Sequence, residues 1–229
     1  MSVPGRVEAA SLLRALDPPT WFLRHSRAVA EIAGWLALRI ALEGLPIDRR
    51  LVESAALLHD VDKILPPDDP ARRLPHGEGS AAWLERRGHA ELAAAAAGHP
   101  VTRLVGRAGQ SALVRLEDRV VAYADKRAGQ RLESLDARFR SWARRYPAPS
   151  TAIARAGHPP EGGRDGNFDA GTVGRMRVQA ERLERAVCDV AQVQPHEVRR
   201  LAWTGAALRA AAAIASVGAS TVTASRSAT

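Results

Sequence analysis

At 229 residues the chain is long enough for one good-sized domain, and its 46% hydrophobic and 25% charged residues are ordinary for a soluble globular protein. Alanine and leucine dominate, and only 4% of residues are aromatic, which favours an all-α fold over sheets. The net charge of +8 comes mainly from arginines spread along the chain. The clustered footprint of a dedicated nucleic-acid binder is therefore missing, and only a weak attraction to anionic substrates is expected.

The single cysteine, Cys188, excludes an internal disulfide framework and fits a reducing compartment. The first residues lack the apolar segment of a signal peptide, and the longest weakly apolar run, at residues 205–218, is interrupted by Arg209. We therefore expect a cytoplasmic protein with no membrane partner, whose oligomeric state the sequence leaves open.

The first predicted elements are two helices. One covers residues 21–42 and is closed by Gly44, with His25 on its buried stripe because apolar residues recur at spacings of three and four. The second begins with Asp48 as its N-cap and stops before Pro66. It therefore ends soon after the pair His59-Asp60.

The next elements carry further polar residues at their ends. A loop at residues 66–75 leads through His76 into a short helix, and another helix ends at Gly98, with His99 at the following turn. A long helix is predicted over residues 111–145, with Asp125 beside its apolar stripe.

The remaining chain divides by composition. Residues 1–146 form the first domain, and residues 147–172 are rich in proline and glycine and predict a linker. Residues 173–216 predict a helical C-terminal extension, with one helix over 173–193 and a short one from Pro195 through Trp203. The Ser/Thr/Ala-rich residues 217–229 predict a disordered tail.

Six residues stand out as candidate metal ligands because each falls at the end of a predicted helix or on its inward face. They are His25, His59, Asp60, His76, His99 and Asp125. Each alone has an ordinary structural explanation, such as a core histidine or a helix cap. Together, imidazoles and carboxylates suit iron, manganese, cobalt, nickel or zinc. Six ligands exceed the usual need of one ion, and an aspartate bridging two ions accounts for the number.

The remaining histidines carry no such signal. His89, His158 and His196 lie in turn-like or charged contexts and are interpreted as structural or surface residues.

The order H…HD…H…H…D resembles the HD-domain superfamily of metal-dependent phosphohydrolases, in its HDIG-like branch. The segments that carry the resemblance are "RHSRAVAEIAG", "AALLHDVDK", "LPHGEGSAAWL", "AAGHPVTRL" and "VVAYADKRAG", within about residues 20–130. The resemblance implies an HD-domain helical bundle over residues 1–146.

It also implies two divalent ions, of iron, manganese, cobalt, nickel, zinc or magnesium. His25, His59, Asp60 and Asp125 would hold the first ion, and His76 and His99 the second, with Asp60 bridging. A metal-bridging hydroxide would attack phosphorus in line. Asp60 and Lys63 are then the catalytic candidates, and the candidates for substrate binding are Lys63, Arg103, Lys126 and Arg127.

One position departs from the branch, which commonly has Ile-Gly where this chain has Val61-Asp62. Three roles are open to Asp62: it could raise cation affinity, hold a ligand histidine or pair with Lys63.

The leading function is hydrolysis of a phosphate ester or anhydride of a nucleotide-like small molecule. The alternatives are an RNA- or nucleic-acid-directed phosphodiesterase and a regulatory HD protein that binds a ligand.

Overall fold

The computed structural model describes residues 3–104, 113–145 and 170–226, and the regular secondary structure in these ranges is helical. In chain order the helices are α1 (Arg6–Arg14), α2 (Thr20–Leu42), α3 (Arg49–Leu58), α4 (Glu78–Arg86), α5 (Ala93–Gly98), α6 (Leu116–Lys126), α7 (Leu135–Arg145), α8 (Ala170–Ala191) and α9 (Thr204–Arg226). Within these ranges no strand forms, and an isolated bridge joins Ala128 to Leu132. The predicted all-α fold is confirmed. No described helix combines the length and apolarity needed to cross a membrane.

Helix α2 is the centre of the bundle and packs along α3 and α6. Its apolar positions, including Phe22, Ile32 and Leu36, are fully buried, as their helical spacing predicts. The helix ends before Gly44, which has φ of +77° and so adopts the left-handed conformation that stops a helix.

Helix α3 begins as predicted, because a side-chain oxygen of Asp48 accepts a hydrogen bond from the backbone N–H of Leu51 at 3.0 Å. The helix ends at Leu58 and continues into the 3₁₀ turn Val61–Lys63. This tight ending places His59 and Asp60 inside the bundle, where each is at most 1% exposed.

The single long helix predicted over residues 111–145 is wrong. Residues 105–112 lie outside the described residues, and the chain turns between α6 and α7. The guanidinium of Arg127 donates to the carbonyl oxygen of Glu133 at 2.7 Å, and the N–H of Glu133 donates to the carbonyl of Arg127 at 2.7 Å. The turn directs the carbonyl of Gly129 to Nδ1 of His25, at 2.8 Å. Its formation thus satisfies a buried imidazole in another helix.

The C-terminal extension also differs from expectation. The linker predicted at 147–172 falls mostly on residues 146–169, which lie outside the described residues. The predicted short helix through Trp203 is wrong, because only Pro195–Glu197 forms a 3₁₀ turn and α9 begins after Trp203. The backbone of α9 is helical to residue 226, past position 217, where the sequence predicted a disordered tail.

The non-helical segment before α9 docks on α2. The N–H of Leu201 donates to the carbonyl of Glu31 at 2.9 Å, and Arg200 donates to the Glu31 carboxylate through two nitrogens, at 2.6 and 3.0 Å. Nε1 of Trp203 donates to the carbonyl of Ala30 at 3.3 Å. The backbone N–H of Leu201 is thus satisfied by α2, and the side chains of Arg200 and Trp203 hold the same segment against that helix.

Candidate metal centre

The two carboxylate oxygens of Asp60 face two different sets of residues. Oδ2 lies 3.3 Å from Nε2 of His25 and 3.5 Å from Nε2 of His59. Oδ1 of Asp125 completes this first set, at 3.3 Å from Nε2 of His25 and 3.7 Å from Nε2 of His59. The first set therefore combines two imidazoles and two carboxylates contributed by α2, α6 and the end of α3.

The second set surrounds the other oxygen of Asp60. Oδ1 lies 3.3 Å from Nε2 of His76 and 3.1 Å from Nε2 of His99. The two imidazole nitrogens are themselves 3.2 Å apart. All six predicted ligands thus converge, and the central carboxylate is shared between the two sets.

Each of the four imidazoles is fixed through its other ring nitrogen. Nδ1 of His25, His59 and His99 contacts the backbone carbonyls of Gly129, Ala56 and Ala96, at 2.8, 2.8 and 2.6 Å, and Nδ1 of His76 contacts Oδ2 of Asp62 at 3.0 Å. Because each partner is an acceptor, each Nδ1 carries the proton. Every Nε2 is therefore directed at the centre, as in histidines that bind metals.

The donor set fits divalent ions. Nε2 of His59 is buried and has no hydrogen-bond partner in the described part of the chain, which is costly for a polar atom without a cation. The nitrogen–oxygen pairs described above for the two sets are 3.1 to 3.7 Å apart. Two donors bound to one ion at about 2.1 Å are roughly 3.0 to 3.4 Å apart at octahedral or tetrahedral angles.

Comparison with known proteins agrees with this geometry: residues 22–129 match the family model of the HD domain. This segment is an HD domain. HD domains are metal-dependent phosphohydrolases that bind divalent metals. The match covers all six candidate ligands and ends at Gly129, whose carbonyl contacts His25.

Among curated proteins the chain is similar to Ribonuclease Y from Chlorobium luteolum (strain DSM 273 / BCRC 81028 / 2530) and from Chlorobium phaeobacteroides (strain DSM 266 / SMG 266 / 2430). Each is 35% identical over 123 residues, which is 50% of this chain and 22% of the relative. The chain thus matches less than a quarter of these relatives' length. No solved structure matches it.

Histidines and lysines in the HD-domain centre balance the buried carboxylates. Burial lowers the pKa of His25, but hydrogen bonds to Asp125 and Asp60 more than offset this effect and raise it to about 9. Burial lowers the pKa of His99 to about 3, so that imidazole stays neutral. Burial alone would raise the pKa of Asp60 and of Asp125. Neighbouring histidines and lysines instead hold the pKa of each carboxyl well below its usual range.

Two lysines neutralise the two carboxylates. Nζ of Lys63 lies 2.8 Å from Oδ2 of Asp60. Nζ of Lys126 pairs with Oδ2 of Asp125 and donates to the carbonyl of His99 at 2.8 Å. These are the only lysines in a chain that otherwise uses arginine, and both lie at the centre. Such compact cations suit contacts with single oxygens better than a planar guanidinium does.

Asp62 holds His76, one of the candidate ligands. Its carboxylate is 1% exposed and accepts hydrogen bonds from Nδ1 of His76, from the N–H of Gly77 at 3.1 Å and from the hydroxyl of Ser80 at 3.0 Å. Of the three roles that the sequence left open, this geometry favours the second. Lys63 contacts Asp60.

Two of the residues expected to bind substrate lie elsewhere. Arg103 pairs with Glu78 and does not line the central cavity. Arg127 is 5% exposed and contacts Glu184 at 3.2 Å and the hydroxyl of Tyr123 at 2.5 Å, so its charge serves the packing of α8 on α6. The expectation that Arg127 contacts the substrate is not supported by this placement.

A cavity of about 730 Å³ opens over the centre. The site residues that line it are His25, Asp60, Lys63, His76, Asp125 and Lys126, and its outer wall includes Trp21, Arg24, Arg131, Arg138, Phe139 and Trp142. The sequence expectations missed this outer wall. Trp21 lies four residues and Arg24 one residue before the candidate ligand His25. A spacing of four places Trp21 on the same helix face as His25.

The other histidines lie outside this centre. His196 is exposed and His89 half-buried, and neither lines the cavity. His158 lies outside the described residues. The described residues of the C-terminal extension also contribute nothing to the cavity lining.

Proposed function

We propose that the chain is a two-metal phosphohydrolase or phosphodiesterase that acts on a nucleotide-like phosphorylated substrate. The observation that carries this proposal is the division of Asp60 between two sets of donors. His25, His59, Asp60 and Asp125 would hold one ion, and His76 and His99, with the other oxygen of Asp60, the second.

Two divalent ions at these positions would supply an activated water near neutral pH and positive charge for the phosphoryl oxygens. The chain's own residues provide orientation and further charge. The Nδ1 contacts of the four imidazoles fix the direction of each Nε2 before any ion arrives. Lys63, with its side chain 38% exposed at the cavity, is placed to bind a phosphoryl oxygen once Asp60 is neutralised by metal.

Lys126 has a different role in this proposal. Its ammonium is held by both Asp125 and the carbonyl of His99, and the residue is 8% exposed. It thus supports the first set of ligands and stays in place when substrate binds.

An RNA-directed phosphodiesterase is the second candidate, and the similarity to Ribonuclease Y favours it. It predicts substrate binding that weakens steeply with salt, because contacts with several phosphates release counterions. A substrate with one or two phosphates would show a shallower dependence.

The proposal is tested by metal analysis and hydrolysis together. After reconstitution with Mn²⁺, Fe²⁺, Co²⁺ or Mg²⁺, elemental analysis should approach two ions per chain. Phosphate or nucleotide release should then be metal-dependent in a screen of mononucleotides, dinucleotides and short RNA. Protein that binds no metal and hydrolyses none of these substrates would refute the proposal.

A further inference from the structure

We propose that the outer part of the cavity is a nucleotide subsite, in which Trp21 and Trp142 stack on a base and Arg24, Arg131 and Arg138 bind a second phosphate. The substrate would then be a nucleotide with at least one phosphoryl group beyond the one at the metal centre. This inference rests on the proposed function and names the substrate class of the same site.

The aromatic part of the subsite comes from two helices. Trp21, in the first turn of α2, is 48% exposed although it lines a cavity, and its ring meets Phe22 edge to face at 5.6 Å. Trp142, on α7, meets Phe139 edge to face at 6.2 Å. Each indole is thus anchored by a neighbouring ring at the cavity wall. Aromatic side chains of this kind bind bases of any sequence because every base has a stacking face.

The basic part follows the same two helices. Arg24 lies three residues after Trp21, and Arg138 lies four residues before Trp142, so each helix presents an indole and a guanidinium on one face. Arg131 comes from the turn between α6 and α7 and also lines the cavity.

None of these three guanidiniums forms an ion pair within the described ranges, whereas Arg6, Arg115 and Arg200 all pair with carboxylates. Glu133 also lines the cavity, so its outer wall has more positive than negative charge. Guanidiniums without a carboxylate partner retain the donor geometry that phosphate oxygens match.

The position of the subsite relative to the metal ligands supports a nucleotide. Trp21 lies one helical turn before His25, which is roughly 6 Å along the axis. Arg131 follows Gly129, whose carbonyl holds His25. A ligand that placed one phosphate at the metals would therefore extend its remaining groups onto these side chains. At about 730 Å³ the cavity has the size of sites for whole small molecules.

The experiment measures equilibrium binding to protein reconstituted with Mn²⁺, using four probes that separate the base from the second phosphate. These are inorganic phosphate, methylenediphosphonate, AMP and α,β-methylene-ADP, whose bridging carbon prevents cleavage. In the unsubstituted protein α,β-methylene-ADP should bind most tightly. Replacing either tryptophan by alanine should weaken AMP and α,β-methylene-ADP by roughly 5- to 150-fold, with phosphate and methylenediphosphonate unchanged.

The arginines should show the complementary pattern. Arg24→Ala or Arg138→Ala should weaken methylenediphosphonate and α,β-methylene-ADP by roughly tenfold, with AMP and phosphate little changed. Arg140→Ala is the matched control, because Arg140 lies on α7, is exposed and does not line the cavity. Trp21→Tyr should keep most of the affinity for AMP, since a phenol ring still stacks.

Equal affinities for α,β-methylene-ADP and methylenediphosphonate, with no effect of the tryptophan substitutions, would overturn the subsite. If metal binding and hydrolysis persisted in that case, the proposed function would stand without it. Loss of metal binding and hydrolysis in the unsubstituted protein would instead refute the function. Faster turnover of the dinucleotide pApA than of ADP would identify an oligonucleotide as the source of the base and phosphate. Faster turnover of ADP would identify a free nucleotide.

Discussion

Oδ2 of Asp62 lies 3.0 Å from Nδ1 of His76, on the side of the ring opposite the nitrogen that faces Asp60. Nδ1 in each of the other three candidate ligands, His25, His59 and His99, contacts a neutral backbone carbonyl. A carboxylate in this position makes the distal nitrogen a stronger ligand as well as fixing the ring. The second set of donors, which contains His76, therefore differs in character from the first set around His25.

The first prediction tests this difference. Asp62→Ala should weaken the binding of one of two ions by roughly 10- to 100-fold and leave the other close to its original affinity. Titration calorimetry with Mn²⁺ measures both. Asp189→Ala, which removes an exposed carboxylate on α8, is the control. Equal weakening of both ions, with unchanged helicity, would show that Asp62 does not act through His76.

The second prediction concerns Asp60. Because its two oxygens face both sets, Asp60→Ala should remove both ions and abolish hydrolysis while helicity stays largely intact. Elemental analysis and circular dichroism measure the two effects. Near-normal turnover in Asp60→Ala would show that the mechanistic assignment is wrong.

The third prediction separates two roles of Lys63. If Lys63 binds the phosphoryl group, Lys63→Ala should leave metal content unchanged and lower kcat/KM roughly 10- to 100-fold, the cost of one charge-assisted contact. If Lys63 only neutralises Asp60 in the metal-free protein, the substitution should tighten metal binding and leave kcat/KM close to normal. Measuring both quantities in the same preparation decides between the roles.

The fourth prediction uses a matched pair of glycines. A Cβ at Gly79 would clash with the carbonyl oxygen of Ala71 and lie 2.8 Å from Cβ of Asp62, whereas a Cβ at Gly174, in α8, meets nothing within 4 Å among the described residues. Gly79→Ala should lower the free energy of unfolding by about 1–3 kcal/mol. Gly174→Ala should raise it by up to about 1 kcal/mol. Urea denaturation measures the free energy of unfolding of both variants. An unchanged free energy in Gly79→Ala would contradict the tight packing around Asp62.

The fifth prediction concerns the Cys188 thiol on α8, whose reactivity measures how tightly this helix packs. Burial raises the pKa of Cys188, a contact at 3.4 Å with the Tyr123 hydroxyl lowers it, and the residue is 2% exposed. A raised pKa means less thiolate at pH 8, so Ellman's reagent should react slowly with the native protein and rapidly in urea. Glu184→Ala removes the acceptor of the Tyr123 hydroxyl, at 2.8 Å, and should accelerate labelling.

Glu181→Ala is the control for that experiment, because Glu181 lies on the same helix and its partner is an exposed residue, Arg177. Equal labelling rates in the two variants would show that Glu184 does not hold α8 on α6.

Local patterns in the sequence are sufficient to predict most of α2 and α3 and to identify the set of candidate ligands. The buried stripe of α2 and the cap at Asp48 depend on neighbours within one or two turns, which a sequence displays directly. The break between α6 and α7 was missed because apolar residues on both sides, such as Val120 and Leu135, keep one helical period. The turn is stabilised by a contact between Gly129 and His25, 104 residues apart.

The same limit applies to side chains whose role depends on a distant partner. Arg127 was expected to contact substrate because it follows Asp125, yet its partner Glu184 lies 57 residues away. The role of Asp62 stayed open for a similar reason. In the sequence the adjacent residue Lys63 is a possible partner of Asp62, whereas His76 reaches the Asp62 carboxylate only in the folded chain.

The lysine content has a practical consequence for labelling this protein. Since Lys63 and Lys126 are the only lysines, and Lys126 is 8% exposed, Lys63 presents the accessible side-chain amine, at the mouth of the cavity. Amine-directed dyes, cross-linkers or acetylating agents would therefore modify Lys63, beside the candidate metal centre, ahead of Lys126. Coupling to a sensor surface through amines would obstruct the cavity, so immobilisation is better achieved through an added tag.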